Sequence, residues 1–251
     1  MVEPKVLAQG IFTPEDLEVS FSEESNLVLT PAIQKEVDET WEKLLKDAKE
    51  NSKRVWNGIS CRVNALDHVG DSLKVEFAPI DFKTREGLLG ALERLELPEE
   101  SYRRGAFVGG LVRTSDNYYV FVYLSGRSVN TNKVDMVGGI VGDESVVRTG
   151  ADLFSVMYQE LEEETATPKA SVESCVLQLA FLSPATNIGF HFAIELSDTR
   201  EQLERRFAEK AVDPDIESLL FVSPRELSFQ LIRMGGYKPF LNKMLFAQKV
   251  V

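Results

Sequence analysis

Gln159-Glu160-Leu161-Glu162-Glu163-Glu164 closes a stretch, residues 151–165, whose apolar spacing predicts a helix. At about 100° per residue, Glu160, Glu163 and Glu164 share one arc of roughly 100°. Carboxylates gathered so closely repel one another. They are tolerated against bulk water, as glutamate runs on solvated helix faces are, or around a divalent cation bound by their oxygens. The same helix carries Phe154, Met157, Tyr158 and Leu161 at i, i+3, i+4 and i+7. This apolar stripe lies beside the acidic arc, with Val156 on the acidic side. One side of the helix therefore packs into a core while its neighbour is offered to a cleft.

The preceding sequence supplies a sheet. Within residues 105–125, the runs 107–112 and 118–124 flank the turn signal Thr114-Ser115-Asp116-Asn117. A further run, 134–141, holds Gly138-Gly139 at its middle, the mark of a bulge or of a close approach by another group. The order is hairpin, Gly-Gly strand, loop, acidic helix. Gly138-Gly139, Gly150 and Gln159–Glu164 in that order resemble the Nudix box of Nudix hydrolases. The resemblance covers about residues 105–235. It implies that Glu160, Glu163 and Glu164 act in catalysis as ligands of Mg²⁺ (or Mn²⁺), with Leu161 in the apolar slot. Four departures stand out: Gln159 replaces an Arg, Ala151 replaces a Glu for which Glu144 is a substitute, Ala166 replaces the closing Gly, and the loop after Gly139 is longer than usual.

Val134-Asp135-Met136-Val137-Gly138-Gly139 further resembles the VDxPGG stretch of the UDP-glucose/UDP-galactose pyrophosphatase branch, whose box is degenerate in the same way. Trp41, Asn57-Gly58 and Asp81-Phe82-Lys83 follow the order of that branch's N-terminal extension. The resemblance implies an α/β fold: a Nudix-like α/β/α sandwich with a mixed sheet over residues 101–251, and a smaller α+β N-terminal domain over 1–100. It implies metal-dependent cleavage of a UDP-sugar to UMP and a sugar 1-phosphate. ADP-ribose, a dinucleotide, an NTP, or a binding protein without catalysis are the alternatives. Gly138, Gly139, Asp135, Asn187 and His191 are the candidate substrate contacts. Glu217, from the acids Asp213, Asp215 and Glu217 of a late loop, is the candidate fourth metal ligand.

Composition narrows the partners. The chain has 251 residues, 43% of them apolar, enough for a substantial core. Its net charge of −12 argues against nucleic acid and anionic membrane, which need clustered Lys and Arg. A small nucleotide-sugar remains compatible, through a bound cation and local basic groups such as Arg113, Arg127 and Lys133. Cys61 and Cys175 are isolated, and His68 and His191 are too few for a histidine metal site. The first sixteen residues lack a signal-peptide pattern, and no apolar run approaches the ~18 residues of a membrane span. A soluble cytoplasmic protein, monomer or homodimer, is expected.

Elsewhere, residues 1–30 read as irregular with one short edge strand. Residues 31–48 read as a helix with Val37, Trp41, Leu44, Leu45 and Ala48 inward, 58–66 and 72–78 as a hairpin, and 84–95 as a second helix. A loop at Pro98-Glu99-Glu100-Ser101 marks the domain boundary. Past Pro168, residues 172–181, 189–196 and 219–222 read as strands and 199–210, 224–234 and 238–246 as helices, with Gly235-Gly236 as a helix break. His191 lies on the alternating strand, as a packing residue or a substrate contact according to register. Asn187 sits in the loop before it.

Overall fold

Burial alternates along the strands and is one-sided on the helices, and the chain divides into two compact units. The structure, a computed structural model, describes residues 3–50, 55–95, 105–125, 134–142, 147–210 and 213–247. Its contacts group Met1–Phe107, Ile140–Leu153 and Ala180–Gly189 into the first unit, and Val108–Gly139, Phe154–Leu179 and Phe190–Val251 into the second. The expected boundary loop at 98–101 lies outside the described residues, as do Arg127, Lys133 and Glu144.

The first unit contains β1 (Lys5–Phe12), β2 (Leu17–Phe21), α1 (Pro31–Glu50), β3 (Ile59–Val69), β4 (Ser72–Asp81) and α2 (Phe82–Arg94). The hairpin expected around Gly70-Asp71 is β3–β4, and Gly70 takes the left-handed conformation of its turn at φ 61°. β2 runs parallel to β4, from Leu17 opposite Leu73 to Phe21 opposite Phe77. Residues 1–30 thus hold two strands instead of one short edge strand. Local pattern could not reveal this, because the partner of β2 is far away in sequence. α1 and α2 pack through Ile33, Val37, Leu88 and Ala91 together with Ile80 of β4. Helix α2 begins two residues before the predicted start because the Asp81 carboxylate caps it, accepting from the Thr84 N–H at 3.0 Å.

The second unit is built on a large sheet. Its strands are β6 (Tyr119–Leu124), β7 (Val134–Met136), β10 (Ile216–Val222) and the greater part of β5 (Ala106–Arg113), β8 (Val172–Leu182) and β9 (Ile188–Leu196), whose remaining residues group with the first unit. The order is β8-β9-β5-β6-β10, with β7 also on β6. β6 is antiparallel to β5, β7 and β10. β9 is parallel to β5: Ile188 N–H donates to Gly105 O at 2.8 Å at one end, and Ser115 N–H to Asp198 O at 2.9 Å at the other. The sheet is therefore mixed, and the class is α/β, as expected.

Helix α3 (Gly150–Thr165) covers one face. Phe154 meets Phe192 of β9 edge-on with ring centroids 5.0 Å apart, a contact worth about 0.5–1.5 kcal/mol beyond its area. Met157 and Ile194 close over Gly110, where a side chain would collide with both. On the opposite face, the Tyr237 hydroxyl lies over Gly109, from the connection between α5 (Leu227–Met234) and α6 (Lys238–Ala247). α4 (Arg200–Lys210) precedes β10. Among the described residues no helix is long and apolar enough to cross a membrane.

Both ends of α3 show why it spans 150–165. At its start Thr149 and Asp152 cap each other: Thr149 N–H donates to Asp152 Oδ2 at 2.8 Å and Asp152 N–H to Thr149 Oγ1 at 3.2 Å. At its end Ala166 takes φ 56° and its N–H closes on Glu162 O at 2.9 Å. An alanine makes the left-handed stop here, at the steric cost of a Cβ, about 1–2 kcal/mol. Ala166→Gly is therefore expected to stabilise the protein by about 1 kcal/mol after the entropy lost by a more flexible unfolded chain. Urea denaturation measures this, and an unchanged or lower midpoint would contradict it.

Candidate functional site

Residues 134–141, read from sequence as one strand, form a strand only over β7. Gly138, at φ 152°, breaks the alternation. Beyond β7 the backbone instead leans on β5, with Gly110 N–H donating to Val137 O at 2.8 Å and Val108 N–H to Gly139 O at 2.9 Å. A side chain at Gly138 would strike the Val108 carbonyl, and one at Gly139 would strike the Glu160 carboxylate. These two glycines let the segment pass flat between β5 and α3.

That passage brings the acidic helix to the Gly-Gly backbone. Gly138 N–H donates to Glu164 Oε2 at 2.8 Å. Glu164 is 9% exposed and Glu160 is half-buried. Burial, with Glu160, Asp135 and Asp213 adding to it, pushes the Glu164 carboxyl up to about 9 against the pull of the Gly138 N–H. Burial, with Glu163 and Asp213 beside it, raises Glu160 to about 7. Glu163 is exposed and accepts from Gln159 Nε2 at 2.9 Å, so Gln159 orients a neighbouring acid.

The other candidates spread out. Asp135 Oδ1 takes its neighbour's Met136 N–H and the Lys238 ammonium, each at 2.8 Å. His191 is 1% exposed, on the sheet face of Gly109, and burial pushes its imidazole down to about 4, so it is neutral. Its hydrogen bond is to the Gly109 backbone, while Nε2 has no partner. Asn187 belongs to the first unit. Its N–H donates to Ser183 Oγ at 3.1 Å, and its Oδ1 is buried without a partner. Glu217 lies on β10, exposed, whereas Asp213 is the late acid whose charge reaches both Glu160 and Glu164. Arg113 is engaged by Glu195 at 2.7 Å.

Sequence reasoning did not single out Lys238 or choose Asp213. The available signal for Lys238 was a cation at a helix start, where the helix dipole disfavours it. For Asp213 there was none, since three acids in one loop are equivalent until the loop is folded.

The donor set suits a hard divalent cation. Glu160, Glu164 and Asp213 offer carboxylate oxygens, one from a buried and two from half-buried side chains, and oxygen is the donor that Mg²⁺ and Mn²⁺ prefer. Among the described residues, no three of His, Cys, Asp or Glu stand close enough to form a ligating group as placed. The chemistry of the donors fits, while their spacing leaves side-chain movement to bring them to one ion.

No protein-family model matches the chain, and no curated protein matches it. Solved structures resemble it in part. One is a Deinococcus radiodurans protein, 15% identical over 57% of this chain and 81% of that one, with a TM-score of 0.40. Another is a mutant of the Bacillus subtilis pyrophosphohydrolase BsRppH, 12% identical over 59% and 84%, at 0.39. A third is the Nudix domain of Shewanella oneidensis NrtR in complex with ADP-ribose, 10% identical over 58% and 88%, at 0.36. Likeness this loose decides nothing about the site, which is read from its own geometry.

The raised carboxyls make stability depend on pH. The ordinary value is 4.5, and the folded values are about 7 for Glu160 and about 9 for Glu164. Between these limits the folded protein holds more protons than the unfolded chain, so stability falls as pH rises. The cost is absent below the ordinary value, grows above it and is complete above the folded values. In chelator, unfolding at pH 8 should be easier than at pH 5 by several kcal/mol, about 1.4 kcal/mol for each pH unit over which a raised group stays protonated only in the folded state. Glu164→Gln keeps an acceptor for Gly138 and should remove most of that slope. A flat profile in the parent protein would refute the assignment. The glycines give a second check. Gly138→Ala meets backbone and should cost about 2 kcal/mol or more. Gly139→Ala meets only a movable carboxylate and should leave stability within about 1 kcal/mol.

Proposed function

We infer that this protein hydrolyses the diphosphate bond of a nucleoside diphosphate derivative, with a UDP-sugar as the substrate and UMP and a sugar 1-phosphate as the products. The observation that carries the reading is the hydrogen bond from Gly138 to Glu164. It joins in space the two separated pieces, Gly-Gly segment and acidic helix, on which the Nudix resemblance rests. The preference for a UDP-sugar rests on the resemblance of residues 134–139 to the UDP-glucose/UDP-galactose pyrophosphatase branch.

Glu160, Glu164 and Asp213 would hold Mg²⁺ or Mn²⁺, with Glu163 completing the set at the solvent side. Such a cation supplies neutralisation of the diphosphate charge and makes a nearby water more acidic. The remaining steps belong to this chain's own groups. The Gly138 N–H and the burial of Glu164 fix the position of that carboxylate. Gly139 presents bare backbone against Glu160, whose carboxylate fills the space a side chain there would need. Glu163, exposed and oriented by Gln159, is the carboxylate suited to receive the proton of the attacking water. The water oxygen bonds to phosphorus as the bond from phosphorus to the bridging oxygen breaks, and the leaving phosphate carries away the electron pair.

The test is a panel of UDP-glucose, UDP-galactose, ADP-ribose, dinucleotides and NTPs with Mg²⁺ or Mn²⁺, resolved by chromatography. UMP from a UDP-sugar is the expected product. Cleavage confined to adenine nucleotides would overturn the substrate, and binding without turnover would overturn the hydrolase. Glu163→Gln should slow turnover by roughly 10²-fold or more while the melting temperature stays unchanged. Full activity in both Glu163→Gln and Glu164→Gln would remove the acidic helix from the chemistry.

A further inference from the structure

We propose that the outer face of α5 is the contact surface for a second copy of this chain, which pairs with it antiparallel about a twofold axis. The pairing does not depend on the hydrolase reading.

Helix α5 buries Leu227, Leu231 and Met234. Its hydrogen bonds run back past Glu226: Leu227 N–H donates to Ser223 O at 3.1 Å and Gln230 N–H to Glu226 O at 2.9 Å. At about 100° per residue, Arg225, Glu226, Phe229, Ile232 and Arg233 then share one arc of roughly 120°, opposite the three buried residues. All five are exposed. Phe229 is 68% and Ile232 55% exposed, the most of any large apolar side chain among the described residues of the second unit. An amphipathic helix ordinarily turns polar groups to water on its outer side. Here two large apolar groups sit among charges instead, which is the makeup of an interface centre with a polar rim.

The order of the charges selects the occupant. Glu226 and Arg233 stand equally far, about 5 Å along the axis, on either side of the point between Phe229 and Gln230. Antiparallel twofold pairing about that point sets Glu226 opposite the partner's Arg233, and Arg233 opposite the partner's Glu226. It brings Phe229 to the partner's Phe229, and lays the stem of the partner's Arg225 beside Ile232. The face is therefore complementary to itself, as an isologous contact requires. A parallel pairing would set like charge against like. Hydrogen bonds from the Ser223 hydroxyl at 2.6 Å and N–H at 3.3 Å pull the Glu226 carboxyl below its ordinary value, so it is charged at neutral pH. Net charge points the same way. Residues 224–247 carry four cations and one acid, whereas the whole chain carries −12. Two such acidic copies repel each other least where this segment faces its counterpart. One short helix offers a small contact, so the dimer is weak, roughly micromolar or weaker.

Sedimentation velocity of the full chain, from micromolar to submillimolar protein, tests the pairing. The parent should pass from monomer to dimer across that range. Phe229→Asp should weaken the dimer roughly 30-fold or more. Arg233→Glu and Glu226→Arg should each weaken it about tenfold, and the two combined should return it to within about threefold of the parent. Damage to the fold does not produce that rescue. Glu226→Arg gives up the bonds to Ser223, and the double variant gives them up as well, so only the exchanged charge pairs can restore the dimer. A parent that stays monomeric throughout would overturn the proposal. So would a dimer untouched by Phe229→Asp, or a double variant no tighter than the single ones. Binding of a monomeric parent to vesicles of phosphatidylcholine and phosphatidylglycerol would likewise overturn it and assign the face to a membrane surface.

Discussion

Crowding of like charge away from water is the constraint around which the second unit is organised. Two glutamates one helical turn apart, Glu160 and Glu164, are turned toward protein, and Asp135 and Asp213 are close enough to disturb them. Carboxylates so placed are costly unless each finds donors or a cation. One donor is the Gly138 N–H, which the structure can deliver only because a residue without a side chain lets the segment lie against the Val108 carbonyl. The unusual backbone and the unusual acidity are thus two sides of one arrangement.

That arrangement depends on ordinary packing around it. Helix α3 is held to the sheet by Phe154, Met157 and Leu161, all fully buried, and its first turn is fixed by the Thr149–Asp152 cap. Its rotation about its own axis is set by this apolar stripe. The backbone positions of Glu160 and Glu164, next to the stripe, are fixed with it, while Glu163 is left exposed. Val156, on the acidic side, is buried as well, so the interior extends past the stripe and takes in Glu164. Stability of the fold and strain in the pocket therefore compete through a single helix, a common relation between a core and a site that does chemistry.

Much of this was legible in the order of residues. The hairpin β5–β6, the acidic helix with its inward stripe, the α1–α2 pair and the Gly235-Gly236 break all follow from patterns that span fewer than twenty residues or so. Less legible was anything relying on partners remote in sequence. β2 lay hidden because its mate is β4, and the strand expected over residues 134–141 is short because Gly138 adopts a backbone conformation that a pattern of apolar residues does not encode. His191 illustrates the same limit. Its alternation was plain, but whether its side of β9 was open or covered was not, and it proves to be buried and bonded to the Gly109 backbone.

The sequence by itself determined that one helix carries three acids beside an apolar stripe, that two glycines precede it across a loop, and that the chain is an α/β protein. These are local facts, governed by helical spacing, alternation and the freedom of glycine. Only the tertiary structure decided which acids meet. It turned Glu163 to solvent, brought Asp213 instead of Glu217 toward the buried pair, and set Lys238 against Asp135. The physical reason is that charge interactions act through space and burial, and a residue's distance along the chain says little about either until packing has fixed both.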